Sequence, residues 1–152
     1  MLDEYRDGLG GRPAETPAHI TLVPPTPVEP ASRDAVAAHL ERVVGGQAPF
    51  SVHLRGTGTF RPVSPVVFVV VVAGISSCEV LAAGLRSGPL RSRPTFPYHP
   101  HVTIAHDLPD AELDRAFVEQ AGFEAAFQVD EVTQYERRSS GWQAVRLLPL
   151  QG

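Results

Sequence analysis

Two copies of one short pattern constrain this chain more than any other feature. The pattern is His-x-Thr within a run of apolar residues, and it occurs as HITL at 19–22 and as HVTI at 101–104. Residues two apart on a β-strand point to the same face. Each motif therefore predicts a strand whose His and Thr share one face, with two aliphatic side chains on the other.

The elements predicted around the two motifs repeat in the same order: helix, His-x-Thr strand, helix, strand, strand. Helix and strand signals place them at 2–9, 18–23, 31–44, 49–60 and 65–74, and again at 76–86, 101–106, 109–121, 123–138 and 142–150. The last two segments are predicted to pair as a hairpin around the turn at 139–141. Ser32, and Ser76 or Ser77, are the expected N-caps of two helices.

The repeat is uneven at its start. A strand precedes the helix at 76–86, whereas no strand precedes the matching helix at 2–9. We therefore expect the first lobe to lack a strand, which would leave a sheet edge exposed or covered by a neighbouring chain.

Composition excludes several classes of chemistry. All 13 basic residues are Arg, so no lysyl-nucleotide intermediate, Schiff base or P-loop lysine is available, and ATP-driven ligases of the covalent-lysine type are excluded. The net charge of −4 argues against a long basic groove for duplex nucleic acid. It is compatible with an RNA end or a small nucleotide held by a few arginines.

The chain also carries no sign of a membrane or secretory destination. Its longest apolar run, 66–75, is far shorter than the roughly 20 residues of a membrane span. The acidic, polar N-terminus does not resemble a signal peptide, and the single Cys78 suits a reducing compartment. We expect a cytoplasmic protein without a membrane partner, and a monomer by default.

The two motifs together suit phosphodiester hydrolysis without a metal. If the strands come from two related lobes, two imidazoles and two hydroxyls converge on one cleft. One neutral His can take a proton from the nucleophile while one protonated His gives a proton to the leaving oxygen, and the hydroxyls can donate to the phosphate oxygens. The candidates are His19, Thr21, His101 and Thr103.

Two other readings stay open. His99, His101 and His106 fall within eight positions, so a metal-dependent hydrolase is one alternative, although carboxylates are sparse nearby and no Cys set exists for a closed zinc site. The other is a module that binds a nucleotide or an RNA end without turning it over.

At these residues the chain resembles the 2H phosphoesterase superfamily, in particular the bacterial 2′–5′ RNA ligase or RNA 2′,3′-cyclic phosphodiesterase group. FPYHPHVTIAHD at 96–107 is similar to the family's second motif. The segment 127–150 is similar to its closing hairpin, and 50–71 to its strand pair in the middle of the chain.

The resemblance implies an α+β fold with two lobes related by a pseudo-two-fold axis. Two mainly antiparallel sheets would surround a central cleft, with helices outside. One domain would cover 1–152, with lobe one at about 1–64, lobe two at about 65–152 and strands crossing between them.

The resemblance also implies an activity. The family opens 2′,3′-cyclic phosphates on RNA ends or small nucleotides, or handles 2′–5′ linkages, without metal, cofactor or ATP. By position, His19 and His101 are the implied catalytic pair. We expect His101 to be the base and His19 the acid, and the pseudo-symmetry of the fold would also allow the reverse. Thr21 and Thr103 are the implied phosphate donors.

Further residues are candidates for substrate binding or are assigned to the structure. Phe60 and Tyr98 could stack on a base, and Arg61 and Arg93 could meet a phosphate. We expect His39 and His53 to be structural. The family often has Arg where this chain has His106, and strand alternation predicts that His106 points away from His101 unless the strand bends.

Overall fold

Four α-helices, two short 3-10 helices (Pro30–Ser32 and Gly88–Leu90) and six strands make up the regular structure of this computed structural model, which describes residues 2–9, 16–91 and 96–152. The helices are α1 (Leu2–Gly8), α2 (Arg33–Gly45), α3 (Ile75–Leu85) and α4 (Asp110–Glu119). The strands are β1 (Phe50–Thr59), β2 (Val66–Ala73), β3 (His101–His106), β4 (Glu124–Val129), β5 (Glu131–Arg138) and β6 (Gly141–Pro149). Within the described ranges, no helix is both long and apolar enough to cross a membrane.

Four strands form sheet A in the order β3-β2-β1-β4, with every neighbouring pair antiparallel. Alternate valines of β2, Val67, Val69 and Val71, are buried on one face of the sheet. Residues of α1 and α4, among them Leu2 and Leu113, pack against this face and complete the first core. The opposite face of sheet A carries the site described below.

Strands β5 and β6 form sheet B. Leu148 of β6 packs in a second core with Leu40 and Val44 of α2 and with Leu81 and Leu85 of α3. In both sheets the helices that build the core pack against one face. The predicted α+β architecture of antiparallel sheets with helices outside is confirmed.

One predicted strand is in fact two strands in different sheets. The segment predicted at 123–138 breaks at Asp130, so that β4 pairs with β1 in sheet A while β5 pairs with β6 in sheet B. Val129, just before the break, contacts both cores, as does Phe50 opposite it in β1. The hairpin prediction is correct for β5 and β6 and wrong for β4, since a uniform β pattern does not reveal where a strand changes sheets.

Helix α3 begins on a glycine and not on the predicted Ser76 or Ser77. Gly74 is its N-cap, with φ at 91°, a left-handed conformation that glycine adopts without strain. A Cβ at this position would also meet the Ser51 carbonyl oxygen at 2.5 Å. Ser32 does stand at the N-cap of α2, but its side chain makes no capping hydrogen bond.

The strand predicted at 18–23 is not formed as a strand. Within it only Ile20 makes a ladder contact, an isolated antiparallel bridge to Val102. Pro17 on one side and the pair Pro24 and Pro25 on the other have no backbone N–H, so they cannot extend the ladder. The first motif is therefore held at the edge of sheet A by one bridge and by side chains.

Candidate active site

The bridge between Ile20 and Val102 brings the two His-x-Thr motifs together. Antiparallel segments run in opposite directions, so the residue before Ile20 lies opposite the residue after Val102, and the residue after Ile20 lies opposite the residue before Val102. Each motif histidine therefore lies across from the other motif's threonine. The facing pairs are His19 with Thr103 and His101 with Thr21. Ile20 and Val102 pack into the first core, so these four residues alternate onto the other side.

The two motif histidines are anchored in the same way. His19 Nδ1 lies 2.7 Å from the Pro17 carbonyl oxygen, and His101 Nδ1 lies 2.7 Å from the His99 carbonyl oxygen. A carbonyl can only accept, so each Nδ1 carries the hydrogen and donates it. Each Nε2 is then free of protein partners within the described residues and can accept or donate a proton in the cleft.

His101 sits among aromatic rings. The Phe60 ring stands edge-on at 4.9 Å between centroids, the Phe68 ring lies at 5.2 Å and the His99 ring at 6.0 Å. This burial lowers the pKa of His101 below its ordinary value, and the nearby His99 and His19 lower it further, whereas the hydrogen bond to the His99 carbonyl acts in the opposite direction. The neutral form of His101 is thereby favoured.

The ring of Phe68 forms the floor beneath this cluster. It lies 4.4 Å from the Phe60 ring and passes so close to Gly58 that a Cβ there would come within 2.7 Å of it. Sequence reasoning did not single out Phe68. The sequence did contain a signal, because Phe68 is the lone aromatic residue in the valine run of β2. In the ladder, Phe68 pairs with Thr103 of the second motif.

Two side chains hold the first motif through its backbone carbonyl oxygens. The Tyr98 hydroxyl donates to the Thr21 carbonyl oxygen at 2.9 Å, and Arg86 Nε donates to the Leu22 carbonyl oxygen at 2.9 Å. The Arg86 guanidinium also lies over the Tyr98 ring at 4.9 Å. Burial raises the pKa of Tyr98, so its hydroxyl stays a donor. Arg86 was missed because no local pattern links the end of α3 to the first motif.

The remaining substrate-binding candidates differ in position. Phe60 lies against His101, inside the cluster. Arg61 is turned toward α4, where its guanidinium pairs with Asp114 at 2.8 Å, and its Nε donates to the hydroxyl of Thr59 in β1 at 3.1 Å. Arg93 lies outside the described residues. For these residues and for Tyr98, contact with a substrate stays a prediction.

A β-bulge changes the position expected for His106. In the ladder with β2, Phe68 pairs with Thr103 and Val66 pairs with His106, while Ile104 is left without a partner. Since Val66 and Phe68 share one face of β2, His106 lies on the same face as Thr103. The prediction from simple alternation is therefore wrong. The His106 ring is 62% exposed, and its Nδ1 lies 3.1 Å from Asp107 Oδ2.

Two other histidines bond within the fold, as predicted. His39 is buried, its Nε2 donates to the Leu85 carbonyl oxygen, and Arg42 donates to its Nδ1. His53 lies 3.0 Å from Glu124 across β1 and β4. Across the described parts of the chain, no three His, Cys, Asp or Glu side chains are grouped so that they could hold a metal ion.

Relatives share both sequence and fold with this chain. Residues 2–141 match the family described as the 2′-5′ RNA ligase superfamily. A provisionally named phosphoesterase of Geobacillus kaustophilus is 30% identical over 112 residues, which are 74% of this chain and 64% of that protein. One of Bacillus mycoides is 28% identical over 116 residues, 74% of this chain and 67% of that protein. The chain thus spans about two thirds of the length of these relatives.

Two solved bacterial structures have the same fold as this chain. The protein TT0787 of Thermus thermophilus superposes with a TM-score of 0.69 at 23% identity, covering 99% of this chain and 90% of that one. LigT of E. coli, complexed with 3′-AMP, gives 0.68 at 21% identity and covers 99% and 93%. With the family match over residues 2–141 and this shared fold, the chain belongs to the 2′-5′ RNA ligase superfamily of 2H phosphoesterases, as its paired motifs predicted.

Proposed function

We propose that this protein is a metal-independent phosphodiesterase that opens 2′,3′-cyclic phosphates at RNA ends or on small nucleotides. The observation that carries the proposal is the pair of facing motifs, each with its histidine anchored through Nδ1 and its Nε2 left free. The structures of E. coli LigT complexed with 3′-AMP and with NADP+ support a nucleotide as the ligand class.

In the proposed reaction, His101 is the general base and His19 the general acid. Neutral His101 accepts a proton at Nε2 from a water molecule, whose oxygen attacks phosphorus. The bond from phosphorus to one ribose oxygen breaks, and protonated His19 delivers its Nε2 proton to that oxygen. The lowered pKa of His101 supports this assignment, because the base must be neutral to begin the reaction.

The threonines stabilise charge in this scheme. Thr21 and Thr103 each stand opposite a motif histidine, so their hydroxyls can donate to the non-bridging oxygens as negative charge builds on them. The same groups can also act with a ribose 5′-hydroxyl in place of water as the nucleophile. The 5′-oxygen then bonds to phosphorus, the bond from phosphorus to the 3′-oxygen of the cyclic phosphate breaks, and the resulting 2′–5′ linkage is ligation.

The test is turnover in the presence of EDTA. The substrates are an RNA oligomer ending in a 2′,3′-cyclic phosphate and the matching mononucleotide. We expect EDTA-resistant opening that falls by at least about 100-fold in His19→Ala and in His101→Ala. His53→Ala is the matched control, since that histidine lies on β1 and pairs with Glu124.

Other outcomes would point to the alternatives. Turnover that EDTA abolishes would support a metal-dependent hydrolase. Saturable nucleotide binding by a folded protein that forms no product would support a binding module. Full turnover in either motif variant would overturn the two-histidine mechanism.

A further inference from the structure

The face of sheet B that carries no helix bears an ordered row of side chains. Register pairs Tyr135 with Ala144 and Arg137 with Trp142 across β5 and β6. The other face is occupied, since Glu136 pairs with Arg33 of α2 at 2.8 Å. Successive positions on one face of a strand lie about 7 Å apart, so Tyr135 and Arg137 are neighbours along it.

Arg137 is an unneutralised cation beside an aromatic ring. Its guanidinium carbon lies 5.9 Å from the Trp142 ring centroid. No carboxylate in the described ranges pairs with it, whereas Arg138 pairs with Glu136, and Arg146 with Glu41. A protein with net charge −4 therefore presents a local positive charge on a partly apolar surface.

Aromatic side chains on an open sheet face, interleaved with arginine, are a common platform for single-stranded RNA. Bases stack on the rings without regard to sequence, and the guanidinium meets a phosphate. The fold has two antiparallel sheets around a central cleft with helices outside, so the face of sheet B turned away from α2 is expected to border that cleft.

We propose that Tyr135, Arg137 and Trp142 bind the single-stranded RNA that precedes a cyclic 3′ end. The proposal rests on the proposed function and adds a preference for oligomers over mononucleotides. Bases upstream of the reacting end would stack on Trp142 and Tyr135, and Arg137 would contact the connecting phosphate.

Trp142 provides a direct binding signal because it is the chain's sole tryptophan. The probe is hexauridylate with a 3′-phosphate, which the enzyme cannot open further, compared with 3′-UMP. We expect saturable quenching of tryptophan emission by the hexamer, weakened by salt, and little change with 3′-UMP. No emission change at hexamer concentrations that inhibit turnover of the cyclic mononucleotide would overturn the proposal.

Variants test the same surface by kinetics. The measured quantity is kcat/KM for a hexamer with a cyclic end divided by kcat/KM for the cyclic mononucleotide. Trp142→Ala and Arg137→Ala should each lower this ratio by about tenfold, whereas Trp142→Phe keeps most of it. Arg138→Ala is the matched control. Arg138 comes directly after Arg137 in β5, but it shares the helix side of the hairpin with Glu136, to which it pairs. An unchanged ratio in both alanine variants would overturn the proposal.

Failure of the proposed function can be told apart from failure of this surface. The fluorescence titration is repeated on the variant that combines His19→Ala and His101→Ala. Quenching there, with no turnover by the wild type, would support the RNA surface while rejecting the enzyme. Turnover by the wild type without quenching or length preference would reject the surface alone.

Discussion

Ile20 and Val102 form one antiparallel bridge, and this single pair brings two motifs that lie 82 residues apart in sequence face to face. The neighbours of each bridge residue point away from the core, so a histidine of one motif meets a threonine of the other. No further ladder contact holds the first motif, within the described residues, against β3. The site therefore depends on side-chain contacts that keep the first motif in place.

The threonines should matter for rate more than for stability. Neither Thr21 nor Thr103 uses its hydroxyl in a hydrogen bond within the described residues, so Thr→Val at either position removes no native partner. We expect kcat to fall by about 100-fold through loss of a donor to the charged phosphate. The control is Thr→Ser, which keeps the hydroxyl. Unchanged kcat in Thr21→Val and Thr103→Val would contradict the assigned role.

The Tyr98 hydroxyl should position the first motif. Tyr98→Phe removes its bond to the Thr21 carbonyl oxygen and should lower the free energy of unfolding by about 1 kcal/mol. It should also lower kcat by about tenfold, because Thr21 is displaced from the phosphate. Tyr5→Phe is the control, since it removes a similar bond to Glu119 at 3.0 Å, between α1 and α4. If Tyr98→Phe and Tyr5→Phe had the same kcat, the role of Tyr98 would be structural only.

Binary patterning predicted most of the fold. The apolar run predicted as a buried strand forms β2, and helices α2, α3 and α4 lie within a few residues of their predicted bounds. That the two motifs meet was expected only if their strands came from two related lobes, because alternation assigns His and Thr to one side of a strand but does not say which strands face each other.

The features that the sequence left open depend on contacts between distant segments. The bulge at Ile104, which moves His106 onto the site face, arises from the register of β3 against β2. The change of sheet at Asp130 and the hydrogen bond from Arg86 to the Leu22 carbonyl oxygen likewise depend on segments far apart in sequence. No local pattern encodes these relations, so they were visible only in the folded chain.

The floor of the site should be sensitive to one added methyl group. In Gly58→Ala the new Cβ would lie 2.7 Å from Phe68 Cε2 and Cζ, and the Phe60 ring at 4.4 Å limits how far the Phe68 ring can move. We expect a loss of about 1–3 kcal/mol in the free energy of unfolding, measured by denaturant titration. Gly122→Ala, with no atom within 4 Å, should change it little. Equal stability of the two variants would show that the floor is not tightly packed.

The pH dependence of turnover should report the burial of His101. As a base it must be neutral, and burial, the largest cause, holds its pKa below the ordinary 6.5. The acid limb of kcat/KM should therefore lie below that value. Phe60→Ala exposes the imidazole of His101 and should raise its pKa. More of His101 is then protonated at a given acid pH, so the acid limb moves to higher pH.

Two further variants separate the causes of this shift. Phe60→Leu keeps apolar cover and should shift the limb less than Phe60→Ala. His99→Asn removes a nearby titratable ring but leaves the backbone carbonyl that binds His101 Nδ1, and it should shift the limb upward by a smaller amount, since burial outweighs the charge of His99. An acid limb that stays in place in Phe60→Ala, with turnover retained, would mean that a group other than His101 acts as the base.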